Sequence, residues 1–508
     1  MEFELDRTQM NGFTCLLDTT LPREETLEMI VPDACPDILR VCETDGQVLV
    51  TGKEAREGAA EVTGCFKLCV LYAPDGESGT RHLDVTIPFT CAVENSAITP
   101  GCRVVASARL RGADTRALNP RKVLVRAETV VDVAVYCPRN ESIAAQVVNP
   151  GEGKVEQLTE EREVYWTACV QEKPFPFQDD MTLSAGKPAA VELLKWRMSL
   201  GRGESKIIGN KLILKGSVNV ILLYRGEDNG VYPASAELPF SQIMEVSGVA
   251  EDADQELTLA LTGADCALNS ADDGRSVAVD AQILAQAVVR EPRVLTVLTD
   301  AYSTAVPVAV EWANCPMDTQ VDRGVRTQNV REVWETPSPV REVNDCRLAV
   351  GEVSQSWEGA QLVLTAQINV CVLYTDEEGN LFSAQWPVVV PCALELPEGC
   401  RCFALCEGVG DVYAAPTAGG VEARFSLDFR YCALNRRELI TLADLREGEA
   451  PGTTGEQPSL VLRMLEEGER LWDMAKSYGT TIADIISANE LDSEAAAVGK
   501  LLLIPRRR

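Results

Sequence analysis

One histidine, His82, stands in 508 residues. Its isolation removes Ser-His-Asp triads, Cys-His dyads and multi-histidine metal sites, unless His82 serves alone. Its setting, GESGTRHLDV, reads as a solvated turn. The phosphate loop GxxxxGK[ST], a GxGxxG opening a helix, the GxSxG elbow and the HExxH pair are missing as well. Carboxylate catalysis leaves no such signature, because 77 acidic residues offer many accidental pairs, and no pair stands out. No run of about 18 apolar residues occurs, which excludes a membrane-spanning helix. The opening MEFELDRTQMNGF lacks the basic start and apolar stretch of a secretory signal, so the cytoplasm is the expected location. Positive charge is in deficit, with 47 Lys and Arg against 77 Asp and Glu and a net charge of −30. That balance weighs against nucleic acid and anionic membranes, both of which are bound through clustered Lys and Arg. The exception is Arg506, Arg507 and Arg508, which read as a solvated tail.

The eighteen cysteines contain no CxxC pair. Their densest group, Cys400, Cys402 and Cys406, has no histidine beside it, so neither zinc-type spacing is met and no metal or cofactor is expected. In a cytosolic chain they should be reduced thiols that pack as small hydrophobes. Hydrophobic content of 46% and charged content of 24% match ordinary globular protein, and the length suits about three to five domains.

What the chain does contain is self-similarity. VTGCFKLCVLY, LKGSVNVILLY and LTAQINVCVLY align without gaps and end at Tyr72, Tyr224 and Tyr374, 152 and 150 residues apart. Each alternates with period two: Val62, Phe66, Leu68 and Val70 in the first; Leu214, Val218, Val220 and Leu222 in the second; Leu362, Leu364, Ala366, Ile368, Val370 and Val372 in the third. That is the signature of a half-buried strand. Cys69 and Cys371 share a repeat position with Ile221, so the position is one of packing. Turns rich in Asp, Asn and Gly follow each tyrosine, then a strand carrying Pro88, Pro239 or Pro387, which predicts a sheet edge. A second alternating strand recurs at Val123, Val125, Val131, Val133 and Val135. Its later copies are Val277, Val279, Ile283 and Val289, then Val421, Phe425, Leu427, Phe429 and Tyr431. PDILRVCE and VELLKWRM suggest short packing helices at the module starts, and NPGEGKVEQLTEERE and WETPSPVREVND read as connectors. The fold class is mainly β, with three antiparallel modules, each a sandwich or a partly closed barrel.

The chain divides as module 1 over 1–140, connector and module 2 over 141–295, connector and module 3 over 296–445, a linker over 446–458, and a last domain over 459–508. In that last domain the period becomes helical: Leu471, Met474, Ala475 and Tyr478 lie at i, i+3, i+4 and i+7. Thr480-Thr481 offers an N-cap for a second helix from Ile482 to about Ala488, and LLLIP makes a closing strand, giving β-α-α-β.

LEEGERLWDMAKSYGTTIADIISANEL followed by VGKLLLIP resembles a LysM domain, with matches at Gly468, Leu471, Trp472, Ala475, Tyr478, Asn489, Leu491, Gly499, Leu502, Ile504 and Pro505. The family's Asp-Thr after the glycine is Glu469-Arg470 here. That turn helps form the glycan groove of typical members, so replacing a short polar residue by a long cation weighs against ordinary peptidoglycan binding. The strand-Leu-Tyr-turn-Gly pattern and the returning Pro of the three modules resemble SPOCS domains, the β-rich units of sporulation-associated coat proteins. Three SPOCS copies and one LysM is the layout of SipL-type spore-coat morphogenetic proteins. The resemblance implies a non-enzymatic, protein-binding scaffold at the forespore surface in the mother cell, recruited by its LysM domain to the stage IV coat-basement ATPase. The residues expected to make the contact are Gly468, Glu469, Arg470, Leu471 and Trp472, together with Asn489 and Leu491. Leu471 suits the core; Trp472 suits either core or contact, and aromatic and Arg side chains favour interfaces. The alternative is a binder of N-acetylglucosamine-containing peptidoglycan.

Overall fold

The computed structural model describes residues 3–148, 154–269, 273–448, 460–466 and 468–505. Strand accounts for 78% and helix for 4%, as the period-two patterning requires. The first module runs β1 (Glu4–Ile30), β2 (Ile38–Arg56), β3 (Ala59–Pro74), β4 (Arg81–Glu94), β5 (Arg103–Asn119) and β6 (Lys122–Val148). The second runs β7 (Val155–Thr182), β8 (Ala190–Ile208), β9 (Lys211–Gly226), β10 (Val231–Glu245), β11 (Asp254–Leu268) and β12 (Ser276–Ser303). The third runs β13 (Val308–Glu335), β14 (Val340–Glu358), β15 (Gln361–Asp376), β16 (Leu381–Leu394), β17 (Arg401–Thr417) and β18 (Gly420–Glu447).

Each module is a sandwich of two antiparallel sheets. One holds the tyrosine strand in its centre: β2-β3-β4, β8-β9-β10 and β14-β15-β16. The other holds the long pair and one partner: β1-β6-β5, β7-β12-β11 and β13-β18-β17. Among the described residues no sheet closes into a barrel. Side chains at alternate positions of both sheets meet in the middle. Phe66, Leu68, Val70 and Tyr72 thus share one core with Val123, Val125, Val131, Val133 and Val135, and the equivalent residues do so in the other two modules. The proline-bearing strands β4, β10 and β16 lie at sheet edges, where a missing amide hydrogen leaves no gap in a ladder.

Four expectations are corrected. PDILRVCE and VELLKWRM are not helices but the starts of β2 and β8. Register shifts at Ile38/Arg40, Val41/Glu43, Ala190/Glu192 and Leu193/Lys195 insert extra residues there. A bulge turns local period two into period three, which mimics a helix in the sequence. His82 is no solvated turn residue: it sits half-buried in β4, with Nδ1 3.4 Å from Glu192 of the second module. The thiols have one exception, a disulfide between Cys102 and Cys137. The pairing Arg103↔Tyr136 brings them opposite each other, Cys102 just before the start of β5 and Cys137 one residue beyond Tyr136 in β6. The connectors are also largely strand. β6 continues through the 140/141 boundary to Val148, β12 continues through 295/296 to Ser303, and WETPSPVREVND is the turn from β13 to β14 inside module 3. Residues 149–153, within the first connector, lie outside the described residues, as do 449–458 of the linker.

The strand extensions have a physical cause. The long pairs β1/β6, β7/β12 and β13/β18 form three arms that bury one another beyond the sandwiches. Ala144, Leu298 and Leu442 meet there, joined by Val147, Ala301, Leu445 and Phe3. The backbone bridge Phe13↔Thr167 links β1 to β7, merging the arm sheets of modules 1 and 2 into six strands. The modules therefore pack on one another instead of hanging as separate beads.

Candidate functional site

The C-terminal domain is built from β19 (Leu460–Met464), α1 (Leu471–Tyr478), α2 (Ile482–Ala488) and β20 (Leu501–Pro505), the β-α-α-β order expected. A 3-10 turn at 494–497, not foreseen in the sequence, precedes β20. Helical spacing drives Leu471, Met474 and Ala475 into one core with Ile485, Leu502 and Ile504. Gly479 stops α1 in the left-handed conformation at φ 63°. Thr481 caps α2 by accepting from the Asp484 amide at 3.0 Å.

The residues singled out in the sequence fall into three groups. Gly468, Glu469 and Arg470 form the turn that leads into α1. Gly468 is exposed with φ 93°, a conformation open to glycine. The Glu469 carboxylate closes the turn, accepting from the Glu466 amide at 3.2 Å and from Arg463 at 2.5 Å. Arg470 is exposed and bidentate on Asp473, at 2.8 and 2.9 Å, which holds that carboxyl below its ordinary range. Leu471 and Leu491 belong to the core, Leu471 fully and Leu491 by half. Asn489 is a clamp: its amide nitrogen donates to the carbonyls of Ile485 at 2.8 Å and Leu503 at 2.7 Å, and its oxygen accepts from the Leu503 amide at 2.7 Å.

Trp472 is buried, but not within its own domain alone. Its indole nitrogen donates to Asp300 of β12 at 2.8 Å, and its ring meets Tyr302 edge-on with centroids 4.8 Å apart. Lys476, one turn on, bonds both oxygens of Asp300 at 2.6 and 2.8 Å. Tyr302 donates to the Thr480 carbonyl at 2.8 Å, while Leu158 and Val308 add apolar contact. No sequence pattern pointed to Asp300 or Tyr302. Lys476 could have been found, since i, i+4 spacing puts it on the face of Trp472.

The chemistry available here is recognition. The exposed groups of the turn are a paired arginine, a paired glutamate and a glycine. In module 3, burial pushes the Cys402 and Cys406 thiols up to about 12, so they stay protonated near neutral pH. Glu43, Asp45 and Asp345 bring carboxylate oxygens within 4.8 Å of one another, but Lys195, Arg197 and Arg347 already neutralise them. Among the described residues no helix is long and apolar enough to cross a membrane.

The family comparisons fit this geometry. A model of the SPOCS domain of SipL matches residues 37–118 and 190–269, which are β2–β5 and β8–β11. A LysM-domain model matches residues 466–505. No curated protein matches the chain.

Proposed function

We propose, for a chain that carries SPOCS domains of the SipL kind and a C-terminal LysM domain, a non-enzymatic protein-binding scaffold in spore-envelope assembly. The third module, β14–β17 with its arms, counts as a further SPOCS unit, because it repeats the strand order and the bulge positions of the first two. The LysM domain recruits the scaffold to the stage IV coat ATPase on the mother-cell face of the forespore, with Arg470 as its leading contact. The observation that carries this reading is the turn at Gly468–Arg470. Its polar groups are tied to Arg463, the Glu466 amide and Asp473, so they offer little to a sugar hydroxyl, yet they present a charged surface to a protein. The seat on Asp300 supports it too, since a LysM domain fixed to three packed modules holds them at whatever surface it binds.

The test compares retention of the full chain on immobilised coat ATPase and on purified peptidoglycan. Binding to the ATPase, lowered about tenfold or more by Arg470→Glu, is the expected result. Retention on peptidoglycan alone reverses the order of the two readings. The glycan reading has its own support in the LysM match over 466–505 and in the open glycine turn.

A further inference from the structure

The three modules meet at a junction of β2, β8 and β14, and the sequence makes the three contributions unlike. At one register position stand Glu43, Lys195 and Asp345, opposite Leu71, Leu223 and Leu373 of the neighbouring strands. Two residues on stand Asp45, Arg197 and Arg347, opposite Cys69, Ile221 and Cys371. A register shift directly precedes the first of these positions in every module, at Val41/Glu43, Leu193/Lys195 and Val343/Asp345. Bulges re-aim side chains, and these three aim charge at one point.

The charges find one another there. Lys195 lies 2.7 Å from Glu43, 2.7 Å from Asp345 and 3.1 Å from Asp45. Arg197 is bidentate on Asp345 and reaches Asp45 at 3.0 Å. Arg347 reaches the other oxygen of Asp45 at 3.0 Å. No side chain of the six is more than 12% exposed, and Lys195 is 1% exposed. Three acids face three bases, so the cluster is neutral. Leu71, Leu223 and Leu373 seal one end of it.

Such a network is a poor source of net stability, because well-packed apolar residues of similar size serve as well or better. Its use lies in what it forbids. The apolar positions at the junction are near copies, Leu/Leu/Leu and Cys/Ile/Cys, and do not distinguish one module from another. The charges do: module 1 brings two acids, module 2 two bases, module 3 one of each. Three first modules would bury six carboxylates, and three second modules six cations. Three third modules would stack three carboxylates in one layer and three guanidiniums in the next.

We propose that these six residues are a key that closes the three modules into one ring within a single chain and that stops copies of the chain from exchanging modules. The surface of β8 around Lys195 and Arg197 is thus an interaction surface whose partner is the acidic notch of modules 1 and 3. This inference stands apart from the coat-protein reading.

The test measures the solution mass of full-length variants by light scattering, with thermal melting alongside. The unaltered chain is expected as a monomer of 55.2 kDa. Lys195→Glu, with four buried acids against two bases, should lose most of the monomer. Adding Glu43→Lys restores three acids and three bases with the same make-up in each layer, and should bring the monomer back. The chain with Glu43→Leu, Asp45→Leu, Lys195→Met, Arg197→Met, Asp345→Leu and Arg347→Met should keep its strand content yet spread over several masses. A monodisperse monomer from that apolar variant, or a charge exchange that behaves no better than Lys195→Glu alone, overturns the proposal.

Discussion

Trp472 of the C-terminal domain donates its indole hydrogen to Asp300, three residues before the end of β12, at 2.8 Å. The domain follows module 3 in the chain, yet it sits on an arm of module 2. Asp300, with its side chain 13% exposed, is the hub of that seat, holding Lys476 as well as Trp472.

Asp300→Ala removes the acceptor from one cation and one indole at once. Losing a hydrogen bond to a charged group costs about 1.5–3 kcal/mol. The change should loosen the seat without touching the module cores. Amide hydrogen exchange in α1 and at the end of β12 should quicken several-fold, while β3, β9 and β15 keep their protection. Unchanged exchange in α1 would show that Tyr302 and the apolar contacts hold the domain alone.

Asn489 and Arg470 should part company under mutation. Asn489→Ala breaks three hydrogen bonds, two from the end of α2 to Leu503 of β20 and one back to Ile485 within α2. At about 1 kcal/mol per neutral bond, the C-terminal domain should lose about 2–3 kcal/mol in denaturant unfolding followed by exchange of its own amides. Arg470→Ala takes away an exposed ion pair of little structural weight, and that unfolding curve should not move. A stability loss at Arg470 equal to that at Asn489 would remove Arg470 as a free contact residue.

The repeated sandwich was legible in the sequence because burial on one face writes period two into the chain. Every residue of the period-two series named in the tyrosine strands and in the second alternating strands is buried. The helices of the C-terminal domain were legible for the same reason at period 3.6. Two kinds of feature were not. Bulges at Val41/Glu43 and Leu193/Lys195 scramble a local period, so strand reads as helix. Contacts between domains join residues far apart in the chain, Glu43 to Lys195 over 152 positions and Trp472 to Asp300 over 172, and no local pattern encodes them. Trp472 could be read as core or as contact from its sequence; it is buried, with Asp300 and Tyr302 of another module among its neighbours.

The tyrosines that mark the repeat should differ in what they lose by two substitutions. Tyr224 is fully buried and donates to the Pro188 carbonyl at 3.2 Å. Tyr224→Phe keeps the ring and gives up one hydrogen bond, about 1 kcal/mol. Tyr224→Ala leaves a cavity in the core of module 2 and should cost about 3–5 kcal/mol, as for other large aromatics. Denaturant midpoints at constant slope would measure both. Equal losses would mean that the hydroxyl, and not the ring, carries the position.

The pH dependence of the junction follows from two carboxyls that move in opposite directions. Burial alone would raise the Asp345 carboxyl, but Lys195 and Arg197 outweigh it and hold the group well below its ordinary range. At Glu43 burial wins over Lys195, with Asp45 and Asp345 adding repulsion, and its carboxyl is pushed up. A depressed group contributes stability that is complete above its unfolded value, about 3.9 for Asp, and is lost as pH falls below it. A raised group does the reverse: its contribution is complete below its unfolded value, about 4.3 for Glu, and is lost as pH rises through the folded one. Asp345→Asn should therefore destabilise by a constant amount at pH 5–7, and the gap from the unaltered chain should narrow below about pH 4, by up to about 1.4 kcal/mol per pH unit. Glu43→Gln removes that titration, so the stability of the unaltered chain relative to this variant should fall as pH rises from about 4 toward 7. Melting curves of the three chains between pH 3 and 7 read both slopes, and gaps that run parallel would show that the two carboxyls share one environment after all.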